Sequence, residues 1–309
     1  MSLTDQEITR VKGSGFLHNR GTETFSVRVV NKNGTITADQ LQTIADCARE
    51  YGSGYVAITS RLQVEIPGVS LAYEQAIQDR VESAGLVTGG TGAKVRPITA
   101  CKGTTCVFGN ADTQGICAKL FDTFYTGWHH VTLPHKFKMS VGGCPNSCMK
   151  PSLNDLGFEA HKIPKYDLEK CRGCAKCAVE TRCPMKAAKV VDGKLCVDKA
   201  VCNDCGVCVG RCPFGVAECE TETAFAVYAG GTWGKHTRMG TRLSRYYRQD
   251  ELETITEKVL LWFRENAYQK ERLGAAIDRV GVEAFEKALE SDDLLNRKEE
   301  ILAMEIKTR

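Results

Sequence analysis

Apolar and polar residues alternate through Phe25-Ser26-Val27-Arg28-Val29-Val30. This predicts a strand with Arg28 on the face opposite Phe25, Val27 and Val29. Thr37 with Gln40 three residues on has the form of a capping box, and Leu41, Ile44, Ala45, Ala48 and Tyr51 then recur at helical spacing. Gly52 and Gly54 end that helix. Residues 55–59 and 62–66 read as two further strands, the second with Leu62, Val64 and Ile66 on one face; residues 71–84 read as a helix. Gly89-Gly90-Thr91-Gly92 reads as a loop. Residues 136–141 alternate again, with Lys136 and Lys138 on one face and Phe137, Met139 and Val141 on the other. Residues 225–228 form a strand ending at Gly230-Gly231. Residues 250–309 are helical and charged, with Leu260, Leu261, Trp262 and Phe263 as their apolar stretch. The expected divisions are 1–67, a small α/β unit; 68–165; 166–216, a cysteine-dense module; and 217–309.

The length of 309 residues suits about two domains. Hydrophobic content of 42% and charged content of 26% are ordinary for a globular chain. A net charge of +3 is too small to argue for nucleic acid, though it allows a local cationic pocket. The first ten residues are polar, and no apolar run reaches the roughly 18 residues of a membrane span. A cytoplasmic location is expected. The sixteen cysteines change the picture. They bunch at short gaps, which in a reducing compartment means metal ligation more often than disulfides.

Cys171, Cys174 and Cys177 form a C-x-x-C-x-x-C run closed by Cys183-Pro184. Cys202, Cys205 and Cys208 form a second, closed by Cys212-Pro213. This is the signature of a bacterial-type ferredoxin with two [4Fe-4S] clusters, in which each run takes its fourth thiolate from the other. One cluster takes Cys171, Cys174, Cys177 and Cys212; the other takes Cys202, Cys205, Cys208 and Cys183. Five residues rather than three separate Cys177 from Cys183. Zinc or disulfides are the competing reading.

A second set pairs Cys101 with Cys106 and Cys144 with Cys148. Four thiolates suit one more cubane cluster, and zinc would also accept them. Lys136 and Lys138 precede Cys144 on one strand face. A solvated face is the bland reading; next to a cluster motif, two adjacent ammonium groups point to an anion.

The chain resembles the siroheme-dependent nitrite and sulfite reductases. The resemblance rests on Leu133-Pro134-His135-Lys136-Phe137-Lys138, on the Cys144/Cys148 pair, on Thr59-Ser60-Arg61 and on Gly230-Gly231 with Gly234-Lys235-His236. It is greatest for the catalytic subunits of anaerobic sulfite reductases. It implies an α+β fold: a ferredoxin-like N-terminal half-domain plus an α/β siroheme-binding domain with an inserted bacterial-type 2[4Fe-4S] ferredoxin domain. It implies that Cys101, Cys106, Cys144 and Cys148 hold a [4Fe-4S] cluster coupled to siroheme, with Cys148 shared between the two. Arg28, Arg96, Lys136 and Lys138 match the substrate cations. Thr59, Arg61, Gly230, Gly231, Lys235 and His236 match segments that hold the macrocycle. The family usually places five residues between its first two cluster cysteines; here there are four.

The reaction implied is the six-electron reduction of sulfite to sulfide, electrons being supplied by cofactors because no side chain can store them. Arginine suits holding an oxyanion; lysine, whose pKa falls on desolvation, suits protonating it. Nitrite reduction to ammonia is the first alternative, and an electron-transfer subunit without siroheme catalysis is the second. No nicotinamide or flavin fingerprint occurs, since the glycines at 89–92 lack a strand–turn–helix context. A separate donor protein or subunit is therefore expected, as is a homo- or hetero-oligomer. Cys47, Cys117, Cys196 and Cys219, the histidines 129, 130 and 135, and Trp233 and Trp262 are read as structural, and His236 less firmly so.

Overall fold

The computed structural model describes residues 3–219 and 223–309. The N-terminal unit is an antiparallel sheet of β1 (Phe16–His18), β2 (Thr24–Val30), β3 (Ala57–Ile58), β4 (Val64–Ser70) and β5 (Val87–Thr88). Its order is β1-β2-β4-β3, with β5 also on β2. Three helices accompany it: α1 (Asp5–Lys12), α2 (Ala38–Tyr51) and α3 (Glu74–Ser83). Thr37 and Gln40 form the expected reciprocal capping box at the start of α2. Phe16, Phe25, Val27, Ile44, Ile66, Ile77 and Val81 are fully buried between sheet and helices.

Three sequence expectations change. The strand expected at 62–66 begins at Val64 and runs on to Ser70, because Leu62 sits in a turn with φ +62°. The strand expected at 55–59 shortens to two residues. The boundary expected at residue 67 falls inside β4, and the unit continues through α3 to β5. Pro67 has no N–H to give the ladder, yet the strand passes through it. Phe25 pairs with Val69 and Val27 with Ile66, so Pro67 and Gly68 oppose Ser26 alone. A bulge absorbs the proline, with Gly68 at φ +79°.

The second sheet has the order β14-β13-β8-β7-β6. β6 (Thr99–Ala100), β7 (Met139–Gly142) and β8 (Leu156–His161) are parallel. The chain then leaves for a module and returns as β13 (Ala224–Ala229) and β14 (Thr241–Tyr247), both antiparallel. Helix α4 (Thr113–Leu120) continues into a π-helical segment, Phe121–Thr126. The C-terminal helices begin with α6 (Leu252–Asn266), α5 lying inside the module. Phe137, Met139, Val141, Phe158, Phe225, Leu260 and Phe263 form the centre of this larger core. Lys136 and Lys138 stand just before β7, partly exposed, while Phe137 and Met139 are fully buried. The expected alternation therefore holds outside the regular strand.

The module is based on β9 (Pro164–Tyr166) paired with β12 (Ala217–Cys219). It contains α5 (Ala178–Arg182) and a hairpin of β10 (Ala188–Val191) and β11 (Lys194–Val197). Val179, Ala188, Leu195, Val216 and Ala217 make its own small core. His161, where the chain leaves the main sheet, pairs with Ala224, where it returns. Among the described residues no helix is long and apolar enough to cross a membrane.

Candidate active site

Alternation on β2 turns Arg28 away from the half-domain core. Its cross-strand partner is Glu65, whose carboxylate accepts from Nε at 3.0 Å and Nη2 at 2.7 Å. Arg28 Nη1 donates to the Gly90 carbonyl at 3.0 Å, and Arg96 Nη1 donates to the same oxygen at 2.7 Å. The glycine loop expected at 89–92 thus holds two guanidinium groups together, Gly90 itself taking φ +71°. Burial, and then the neighbouring Arg28, lower the Arg96 pKa to about 10. Lys136 and Lys138 enter from before β7. Arg28, Thr59, Ser60, Arg61, Gln63, Gly90, Arg96, Pro97, Lys136 and Lys138 line one cleft of about 230 Å³. All four expected substrate cations are there.

Burial pushes the Lys138 ammonium down to about 8, helped by Arg61, Lys136 and Arg272. Lys136 is lowered by burial, Arg272 and Arg96. Burial and the same cations hold His135 down at about 4, so its ring is neutral. Its Nδ1 accepts from the Lys136 N–H at 2.8 Å.

Two residues here escaped the sequence reading. Asp155, fully buried, accepts from the Lys138 N–H at 2.8 Å and from Arg272 Nε and Nη2 at 3.0 and 2.8 Å. They lie 117 residues apart in the chain, and no local motif links them.

Thr59 and Arg61 behave differently from a simple cofactor-contacting pair. The Thr59 hydroxyl accepts from the Gln63 N–H at 3.0 Å. Arg61 donates to Asn154 Oδ1 and to the carbonyls of Pro97 and Met139, all within 2.9 Å. Its terminal nitrogens clamp the half-domain to the second sheet, leaving Nε buried without a partner.

Cys101 follows β6 and Cys144 follows β7. The N–H of Gly143 points at Cys101 Sγ, 3.2 Å away. Burial raises the Cys144 pKa, and its charge neighbours include Cys101, Cys148 and Cys106, so the four thiols share one locality. The short gap between Cys101 and Cys106 is taken up by a 3-10 turn, Gly103–Thr105, whose cap is the Cys106 N–H on Gly103 O. Cys148 is exposed.

The loop carrying Gly230, Gly231, Lys235 and His236 joins β13 to β14. It does not line the cleft. A Cβ on Gly231 would stand 2.3 Å from the Ser152 carbonyl, so only glycine lets the loop approach that closely. Trp233, Lys235 and His236 are exposed, and Lys150, two residues beyond Cys148, stands over the Trp233 ring at 5.9 Å.

In the module, Cys183, Cys202, Cys205 and Cys208 line one small cavity with Tyr166. The Tyr166 hydroxyl lies 3.3 Å from Cys208 Sγ. The Cys171 loop lies beside Cys212: Arg172 stacks on Phe214 at 4.4 Å. N–H groups of Gly173 and Leu195 lower the Cys171 pKa. Cys183 thus lies with Cys202, Cys205 and Cys208, and thiol donors of this kind suit a cubane cluster. Among the described residues no three Cys, His, Asp or Glu side chains stand close enough to hold one metal ion. Cys47 and Cys117 are buried outside these sites.

The family model for the nitrite and sulphite reductase 4Fe-4S domain matches residues 91–296, and that for the nitrite/sulfite reductase ferredoxin-like half domain matches residues 18–84. A coenzyme F420-dependent sulfite reductase of Methanocaldococcus jannaschii is 32% identical over 92% of this chain, which spans 45% of that relative. One of the subunits of the anaerobic sulfite reductase of Salmonella typhimurium is 27% identical over 82% of this chain and 77% of its own length. An assimilatory ferredoxin-dependent nitrite reductase of Haloferax mediterranei is 32% identical over 50% of this chain and 29% of its own. The crystal structure of dissimilatory sulfite reductase I shares the fold with a TM-score of 0.70 at 23% identity, covering 86% of this chain and 69% of that one. With both models matched in the expected order, the chain belongs to the nitrite and sulphite reductase 4Fe-4S domain family, whose members use siroheme and [4Fe-4S] clusters.

Proposed function

We propose that the chain is the catalytic unit of a sulfite reductase, reducing sulfite to sulfide. The convergence of Arg28, Arg96, Lys136 and Lys138 on one cleft carries this reading. Cys101, Cys106, Cys144 and Cys148 would hold a [4Fe-4S] cluster beside siroheme, and these groups would pass on the donor's electrons and provide the metal that takes the sulfur. Of the residues that the resemblance assigns to the macrocycle, Thr59 and Arg61 line that cleft, and Gly230, Gly231, Lys235 and His236 lie outside it.

The protein's own part is electrostatic and protic. Arg28 and Arg96 are fixed through Gly90 and Glu65, so they meet an oxyanion without reorganising. Lys138, at about 8, is charged at neutral pH and gives up its proton more readily than an ordinary lysine. It protonates oxygens that leave as water, while Lys136 balances charge and assists. Asp155 holds the Lys138 backbone in place.

Anaerobically purified protein should show siroheme bands with roughly twelve irons in clusters. Clusters without siroheme bands would instead indicate an electron-transfer subunit. Nitrite is the second reading, favoured by the H. mediterranei relative and by a cleft whose cations serve either anion. Steady-state assays with reduced viologen on both anions rank them.

A further inference from the structure

The two halves of the module are embedded differently. The loop of Cys202, Cys205 and Cys208 is fastened to the body. Asn110 Nδ2 donates to the Cys205 carbonyl at 3.2 Å, and the Asn110 N–H donates at 2.8 Å to Gly143, next to Cys144. Lys162 N–H donates to Asp204 O at 3.1 Å, Tyr246 donates to the Asp204 carboxylate at 3.1 Å, and His161 Nδ1 lies 3.0 Å from Asn203 O. Among the described residues, the loop of Cys171, Cys174 and Cys177 has its hydrogen bonds within the module. Gly173 is packed on Gly193 of the β10–β11 turn, and Lys194 Nζ donates to Cys171 O at 2.8 Å. Of the eight module ligands only Cys174 is exposed.

We infer that the exposed edge at Cys174 is the docking surface for an acidic one-electron carrier protein, with Arg172 and Lys176 as its recognition charges. This rests on reading the module as a two-cluster carrier. Electron transfer needs close approach, and among the module's eight ligands Cys174 is the exposed one. Lys170, Arg172 and Lys176 are all exposed, and no acid lies between residues 170 and 176. Asp167 is occupied by Lys170 at 3.1 Å, and Glu218 also faces Lys170; Glu169, Glu180 and Asp192 are the other acids on the flanking segments, Glu180 accepting from the Val190 N–H at 3.3 Å. Leu168 and Val191 are exposed at 47% and 51%, on the segments flanking that loop. A cationic rim with apolar neighbours suits a partner with carboxylates around its redox centre. In each encounter the carrier loses one electron and the module gains it, with no proton or atom exchanged.

The test uses the full holoprotein. Fully reduced flavodoxin, an acidic flavoprotein, and reduced methyl viologen, a small cation, are mixed with it in a stopped-flow instrument, and cluster bleaching is followed. Lys176→Glu with Arg172→Gln should slow flavodoxin by on the order of tenfold at low salt and leave viologen, a cation, no slower. Lys176→Glu alone keeps the Arg172 stack on Phe214 and should show a smaller loss. Carbodiimide should couple Lys176 to flavodoxin carboxylates, read by peptide mass spectrometry. Unchanged flavodoxin rates with the full iron content, or cross-links confined to other lysines, overturn the docking surface. Absence of module clusters in the parent protein overturns the functional reading itself.

Discussion

Lys138 carries two consequences of its burial. As a proton donor it must be charged, so turnover should fall as pH rises through about 8, well below an ordinary lysine's 10.5. For stability the sign is the reverse. Folding lowers its proton affinity, so the unfolded chain binds more protons between those values, and stability rises with pH across that window. Lys138→Met should therefore raise the Tm of the cofactor-free protein at pH 7 and raise it less at pH 10, while lowering turnover with the cofactor bands intact. Lys136→Met should also lower turnover, and full activity in both variants would sink the protic role. The Asp155–Arg272 pair separates charge from support. Asp155→Asn leaves Arg272 unopposed and should move the alkaline limb of the pH–rate profile to lower pH. Arg272→Gln leaves the carboxylate and should move it to higher pH. Shifts in the same direction in both variants would mean the pair acts only as scaffold.

Local signals decided which elements were legible. The Thr37/Gln40 box and the spacing of Ile44 and Ala48 specify α2, because capping and amphipathicity are properties of a single segment. The Cys-x-x-Cys runs are equally local, as are Lys136 and Lys138. Hidden from the sequence were features made by distant segments: the bulge that carries β4 through Pro67, the clamp of Arg61 on Pro97 and Met139, and the Asp155–Arg272 pair. Another is the meeting of α7 (Leu273–Val280) with the β13–β14 loop. There Gly274 faces Gly230, and a Cβ on Gly274 would stand 2.2 Å from the Gly230 carbonyl. Gly274→Ala gains helix propensity, yet overpacking should dominate at about 1–3 kcal/mol. Thermal unfolding of the cofactor-free protein reads the loss; an unchanged Tm would show that the loop yields freely.

The whole molecule is a two-sheet body interrupted once, between strands that are already neighbours. Because His161 pairs with Ala224, the chain needs only a hairpin turn there. The module's core is separate from the body's, and the contacts of Asn110, His161, Lys162 and Tyr246 tie the two by polar groups. Such a boundary should be separable. Replacing residues 162–223 by a short Gly-Asn turn linker should leave a folded protein with siroheme bands and roughly four irons in its one remaining cluster. Reduced viologen should still drive sulfite reduction, since a small donor can reach the exposed Cys148 side. Flavodoxin-driven turnover should be lost, because the surface at Cys174 has gone. Retained flavodoxin turnover would mean that electrons enter the body directly. Loss of the siroheme bands would mean that the module, through Asn110 and Gly143, shapes the Cys144 loop as well as feeding it.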